Sequence, residues 1–294
     1  MTNLTTPTLP SIVGLPGAAP AAALVPADFD FVRTFVKREA AITLEDGKEY
    51  LVTSRLTPLV QRHGAGDLAG LIGRLRMNPA SALGREVVDA MTTNETSFFR
   101  DIHPFESLRT DVLPELIRAR GARRSLRIWC GAASSGQEPY TIALVIKEHF
   151  PELSSWDIQI LGTDISPSML AKAQAGSYSQ LEVNRGMPAP MLVKYLQRHG
   201  AHWVLRDDIR KMVRYAPLNL AQRFPATLGR FDAVFMRNVL IYFDVPTKTS
   251  ILRQTRTHLA DDGFLILGGA ETTVGVDNDY RRVLLGRTVW YRAA

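Results

Sequence analysis

A single cysteine, Cys130, leaves no internal disulfide and no multi-cysteine zinc site, which fits a reducing compartment. No stretch approaches the roughly 18 consecutive apolar residues that a membrane helix needs. Residues 1–32 contain no Lys or Arg, so the basic start of a secretory leader is missing and a cytoplasmic location is expected. No Lys follows Gly136, which excludes a Walker loop, and the dinucleotide spacing Gly-x-Gly-x-x-Gly does not occur. There is no internal repeat either. What remains is 294 residues with 46% hydrophobic and 22% charged content, an ordinary globular composition that excludes collagen, coiled coil and wholesale disorder. That length accommodates one large domain and a smaller companion. Thirty-five Lys and Arg against 29 Asp and Glu give +6, which favours an acidic partner without choosing among nucleic acid, anionic membrane and acidic protein.

Residues 1–27 hold prolines at 7, 10, 16, 20 and 26 and no apolar periodicity, so a disordered tail is expected there. From Asp28 the texture changes. Phe29, Val32, Phe35 and Val36 recur at helical spacing, and Glu45-Asp46-Gly47 marks a turn. The next segment places Val52, Leu56, Leu59 and Val60 on one face and Lys48, Arg55 and Arg62, seven apart, on another. Pro58 falls inside this helix and is expected to kink it or split it in two. With further helical patterns at 66–76 and 81–92, residues 28–93 form a small all-helical domain. Its basic stripe suits solubility and docking equally.

Beyond residue 94 apolar strands alternate with amphipathic helices. Strands are expected at Leu126–Cys130, Ile158–Thr163, Val213–Pro217, Phe231–Met236, Phe264–Gly268 and Thr288–Tyr291, and helices at 103–120, 138–150, 167–175 and 246–260. Strand followed by helix, repeated, implies an α/β fold whose mostly parallel sheet is covered on both faces and binds ligands beyond the carboxyl ends of its strands. A stretch at about 176–214, rich in Gly, Pro and charge, interrupts the rhythm and is expected to be an insertion within 94–294.

Two strand ends carry the chemistry. Arg127-Ile128-Trp129-Cys130 runs into Gly131-Ala132-Ala133-Ser134-Ser135-Gly136 and then a helix near Glu138-Pro139-Tyr140. Small residues admit close backbone approach and a helix start favours polar ligand groups. Asp164, at the tip of the next strand, is placed to accept from ribose hydroxyls; capping the helix after Ser166-Pro167 is its competing role. Glu138 beside the loop suits a ligand ammonium and would repel a pyrophosphate. That disfavours NAD and favours S-adenosylmethionine.

Asn94-Glu95-Thr96-Ser97-Phe98-Phe99-Arg100, the Glu138-Pro139-Tyr140 turn, Thr163-Asp164-Ile165, Asn219-Leu220 and Phe231-Asp232-Ala233-Val234-Phe235-Met236-Arg237-Asn238-Val239-Leu240-Ile241-Tyr242-Phe243 occur in that order. Together they resemble the CheR-type chemoreceptor glutamate methyltransferases over about 28–292. The resemblance implies a Rossmann-like class I methyltransferase sheet with a small all-helical N-terminal domain and a small β insertion subdomain. It implies that Asn94, Thr96, Arg100, Glu138, Asp164, Asn219, Leu220, Arg237 and Asn238 line the S-adenosylmethionine pocket, with Arg100 and Tyr242 facing the reacting carboxylate and no metal. The implied products are a glutamate methyl ester and S-adenosylhomocysteine, and the implied partner is a chemoreceptor cytoplasmic domain docking on Lys48, Arg55 and Arg62. Gln137 stands where an acidic residue is usual in the family, and the compact stretch around Arg198-His199-Gly200 lacks the extra Gly-containing loop that some relatives use for a receptor C-terminal pentapeptide, so that tether is not expected.

Two other functions compete. Methylation of a nucleic acid or a small acid would suit the +6 charge, yet Arg237-Asn238-Val239 stands where nucleobase-amine enzymes carry Asn-Pro-Pro-aromatic, so no nucleic-acid partner is expected. A non-catalytic, cofactor-binding adaptor ranks last because Arg100 and Tyr242 are both present.

Overall fold

Apolar residues recurring every three or four positions fold the first part of the chain into helices α1 (Pro26–Ala40), α2 (Glu49–His63), α3 (Leu68–Met77) and α4 (Ala82–Met91). The computed structural model describes residues 24–294, so most of the tail expected over 1–27 lies outside the described residues. Asp67 and Ser81 cap α3 and α4 by accepting from Gly70 N and Gly84 N. The inward faces meet in one core around Val32, Phe35, Val52, Leu56, Ile72 and Val87. Of the two expected outcomes at Pro58, the split does not occur: α2 continues as one helix from Glu49 to His63. Pro58 is exposed, and the carbonyl it deprives of a partner belongs to Ser54, also exposed, where water can serve it. Buried Leu56 and Leu59 hold both sides of the proline on one core.

The rest of the chain begins with α5 (His103–Ser107), a π turn (Leu108–Val112) and α6 (Leu113–Arg120). Then come β1 (Ser125–Gly131), α7 (Gln137–His149), β2 (Asp157–Asp164) and α8 (Pro167–Ala175). The insertion comprises β3 (Ser177–Ser179), α9 (Gln180–Asn184), α10 (Ala189–Tyr195), β4 (Leu196–His199), β5 (His202–Leu205) and α11 (Asp207–Arg210). Finally come β6 (Val213–Pro217), β7 (Phe231–Met236), α12 (Val245–His258), β8 (Leu259–Leu267), β9 (Tyr280–Leu285) and β10 (Thr288–Ala293).

Seven strands form one sheet in the order β6-β2-β1-β7-β8-β10-β9, in which β10 alone runs antiparallel to its neighbours. The chain leaves β1 in one direction for β2 and β6 and returns on its other side as β7, so β1 and β7 flank the switch point where ligands bind in such sheets. Alternation along the strands serves two cores. Ile128, Cys130, Phe235 and Trp290 face α5 to α7, whereas Trp129, Val234, Met236 and Tyr291 face α12. Strand β9 was not among the expected strands. As the outermost strand it pairs only with β10, and its Arg281, Arg282 and Leu284 remain exposed.

The insertion carries its own antiparallel sheet, β3-β5-β4, matching the expected β subdomain, with β4 and β5 joined through Gly200-Ala201. It seats on the main body where Gly186, at φ +95°, crosses the Phe98 backbone; a Cβ there would lie 2.0 Å from Phe98 O.

At the amino edge of the sheet Asp232, 1% exposed, accepts from Arg120 Nε at 2.8 Å, Arg123 Nη2 at 2.6 Å and Arg127 N at 2.8 Å. Removing that charge leaves Arg120 with Asp262 alone. Asp232→Asn is therefore expected to lower folding stability by about 3 kcal/mol, in the range for breaking a buried pair. Urea unfolding reads this, and cofactor affinity should stay unchanged because the network lies at the edge opposite the switch point.

Candidate active site

Strand β1 ends in a tight turn closed by Gly136 at φ +92°, where a Cβ would lie 2.9 Å from Ala173 Cβ. A Cβ on Gly131 would lie 2.7 Å from Met236 Sδ. Ala132 (φ 58°) and Ser134 (φ 49°) then adopt left-handed backbone, which bends the chain sharply into α7. Asp164, at the end of β2, fixes this loop. Its Oδ2 accepts from Ser134 N at 2.7 Å and its Oδ1 from Ser166 N at 2.9 Å. The helix cap is Ser166, whose Oγ accepts from Met169 N at 3.1 Å, so the competing capping role belongs to that residue. Burial pushes the Asp164 pKa up, and the backbone N–H groups of Ser166, Ser134 and Ile165 draw it back down.

Glu138 lies in the first turn of α7, beside this loop. Its Oε2 accepts from Arg237 Nη1 at 2.7 Å, while Oε1 makes no hydrogen bond among the described residues. Burial raises the Glu138 pKa, and the Arg237 charge opposes that rise. The Arg237 side chain is 2% exposed and has two further partners, Arg100 O at 3.0 Å and Asp101 Oδ2 at 2.8 Å. Those contacts hold a strained segment in which Phe99, Asp101 and Ile102 all have positive φ, at 49°, 67° and 39°. Arg100 itself donates to Glu95 O at 3.0 Å. Asn238 (φ 57°) is pinned by Glu271, whose Oε2 also accepts from Gly268 N at 2.6 Å and whose Oε1 accepts from Ile241 N.

All of these segments border one cavity with about 980 Å³ of atom-free space, part of it open to solvent. Asn94, Thr96, Arg100, Glu138, Asp164, Asn219, Leu220, Arg237, Asn238 and Tyr242 all line it. Sequence reasoning missed the wall contributed by the helical domain through Ala40, Ile42 and Met91, as well as the supporting Glu271. Asn219 explains part of that wall. Its Nδ2 donates to Glu39 O at 2.7 Å and its Oδ1 accepts from Ala221 N at 3.0 Å, so its amide ties the loop after β6 to the end of α1.

The basic stripe on α2 differs from expectation. Arg55 is half-buried and donates to Met91 O at 2.6 Å, Thr92 O at 3.0 Å and Thr93 Oγ1 at 3.0 Å. The last carbonyls of a helix lack partners and draw cations, so Arg55 caps α4 rather than offering a free docking charge. Desolvation lowers its pKa accordingly. Arg62 pairs with Glu86 at 3.1 Å, while Lys48 has no ion-pair partner among the described residues.

The donor set fits a ligand with an ammonium, a ribose and an apolar ring. Glu138 offers a free carboxylate oxygen, Asp164 retains acceptor capacity on both oxygens, and Ile165, Leu218 and Leu220 supply apolar wall. Residues 94–288 match the family described as CheR methyltransferase, SAM binding domain, and residues 27–92 match the CheR methyltransferase all-alpha domain. The chain belongs to the CheR methyltransferase family. It is 42% identical over 272 residues to Chemotaxis protein methyltransferase 1 of Pseudomonas aeruginosa, covering 91% of this chain and 98% of that protein. It is 40% identical over 271 residues to Chemotaxis protein methyltransferase Cher2 of Pseudomonas putida, covering 90% and 98%, and 37% identical over 267 residues to Chemotaxis protein methyltransferase of Vibrio parahaemolyticus, covering 90% and 95%. This CheR-family chain is thus a methyltransferase of the chemotaxis type that uses S-adenosylmethionine. No helix among the described residues is long and apolar enough to cross a membrane.

Proposed function

We propose that this CheR-family enzyme esterifies specific glutamate side chains on the cytoplasmic helices of chemoreceptors. The observation that carries this reading is the convergence of Arg100 and Tyr242 on the cavity that also holds Glu138 and Asp164. A glutamate side chain has an ordinary pKa near ~4.3, so at neutral pH it is already an anionic nucleophile and needs no general base. Positioning is then the main task, and ordering two reactants at about 3 Å recovers several kcal/mol of the barrier.

When bound, S-adenosylmethionine supplies an electrophilic methyl group on a sulfonium. In the proposed arrangement Glu138 holds its amino end, Asp164 accepts from its ribose and Leu220 packs on its base. Arg100 clamps the incoming carboxylate as a planar fork and Tyr242 orients one oxygen. Arg237 acts from behind, its charge opposing the rise that burial imposes on the Glu138 pKa, and it holds the Arg100 segment in place. One carboxylate oxygen forms the new O–C bond as the C–S bond breaks, giving methyl ester and S-adenosylhomocysteine.

For docking, Lys48 and Arg62 remain as α2 contacts. The two-residue β4–β5 connection supports the reading that no receptor pentapeptide tether is used. The test is incubation with methyl-labelled cofactor and receptor-containing membranes. A base-labile methyl ester on the receptor is expected; its absence with every receptor tried would overturn the proposal.

A further inference from the structure

We propose that a second groove, which shares Arg237 with the cofactor cavity, seats the acidic helix of the protein substrate; this rests on the function proposed above. The topology puts the groove at the correct edge. Strands β8 and β9 run in the same direction, so the turn at Gly286-Arg287 between β9 and β10 rises at the edge where β1, β2 and β7 deliver the cavity residues. Between that turn, the loop at 267–272 and the start of α5 lies a groove with about 1,140 Å³ of atom-free space. Arg237 lines both spaces and stands between them, paired with Glu138 on the cavity side and with Asp101 on the groove side.

The groove carries a small net positive charge, with Arg237, Arg282 and Arg287 lining it against Asp101 and Glu271. Asp101 is bound by Arg237 at 2.8 Å, and the Glu271 carboxylate is occupied by the backbone N–H groups of Gly268, Asn238 and Ile241. Arg282 and Arg287 both line the groove, are exposed, and make no ion pair or side-chain hydrogen bond among the described residues. Ile102, between the lining residues Asp101 and His103, is 51% exposed, and Val274, two residues beyond the lining Thr272, is 61% exposed. Two unpaired cations in a groove with exposed apolar residues on its flanking segments suit one face of an amphipathic, carboxylate-bearing helix whose target glutamate reaches the neighbouring cavity. At α2, Arg55 is held by carbonyls and Arg62 pairs with Glu86, which leaves Lys48 as the unpaired cation of that stripe among the described residues.

The test is the double variant Arg282→Glu/Arg287→Glu, assayed on a receptor cytoplasmic fragment. Its KM for the fragment is expected to rise tenfold or more and the salt dependence of that KM to flatten. The kcat at saturation and the Kd for S-adenosylhomocysteine should stay within about twofold. Arg223→Glu/Arg253→Glu makes the same charge change in a basic groove beside α12 and is expected to leave KM unaltered. An unchanged KM in the first variant, or an equal rise in the second, would overturn the groove assignment. Fragment binding, followed separately by surface plasmon resonance, distinguishes this from failure of the substrate reading. Binding lost in the first variant alone supports the groove even when no ester forms. Wild-type enzyme that binds the fragment without methylating it overturns only the reaction, and wild-type enzyme that does neither overturns both.

Discussion

Arg100→Ala is expected to lower kcat about 100-fold at saturating cofactor and receptor, while S-adenosylhomocysteine affinity falls only a fewfold. A charge-assisted hydrogen bond contributes roughly 1.5–3 kcal/mol, equivalent to about 10- to 150-fold in rate, and loss of the fork also loosens carboxylate alignment. The substitution isolates that effect. The only hydrogen bond the Arg100 side chain makes within the described residues is to Glu95 O, and the Arg100 carbonyl that receives Arg237 survives truncation. Folding stability should therefore hardly change. Arg100→Lys retains the charge without the planar fork and should recover part of the rate. Initial rates, calorimetry and a melting curve separate these quantities. Full activity in Arg100→Ala, or a loss explained by unfolding, would contradict the assigned role.

The second large effect is expected from Glu138→Gln. This change removes the anion facing the ligand's amino group and leaves the buried Arg237 guanidinium with Asp101 as its only ionic partner. Cofactor affinity should fall about 50-fold, and the melting temperature should drop, because unbalancing a buried cation costs several kcal/mol. The pH dependence follows from the same residue. Burial places the Glu138 pKa above its ordinary carboxylate value, and binding requires the ionised form. Affinity is therefore complete at high pH and is lost as pH falls through that raised pKa, at a less acidic point than a free carboxylate would give. In Glu138→Gln this acid limb should vanish. A variant that keeps wild-type affinity and the same limb would exclude Glu138 from the amino-end site.

The strand ends bearing this chemistry were legible in the sequence because each announces itself locally. The buried strand Phe231–Met236 is apolar apart from Asp232 and Arg237 follows it directly, Asp164 ends β2, and Glu138 lies just past the small-residue loop after β1, where an α/β sheet presents its ligand edge. What stayed hidden depends on contacts between distant segments. Ala40, Ile42 and Met91 look like ordinary core residues, and only the closure of the helical domain over β1 and β2 makes them cavity wall. Arg55 occupies a position that an amphipathic pattern assigns to solvent, yet the end of α4 supplies carbonyls that need a donor. Glu271 lies in a glycine-rich loop with no periodic signal, and its three backbone partners come from two separate loops. Pro58 shows the reverse: a local rule against helix is overridden because the lost hydrogen bond faces water.

The most direct test of the whole account is a crystal structure of the enzyme with S-adenosylhomocysteine. The account predicts density spanning the cavity from Asn94 to Tyr242, with the amino group on Glu138, the ribose on Asp164 and the thioether sulfur directed toward Arg100 and Tyr242. Density at another site, or a nucleoside lying in the opposite direction along the cavity, would contradict it.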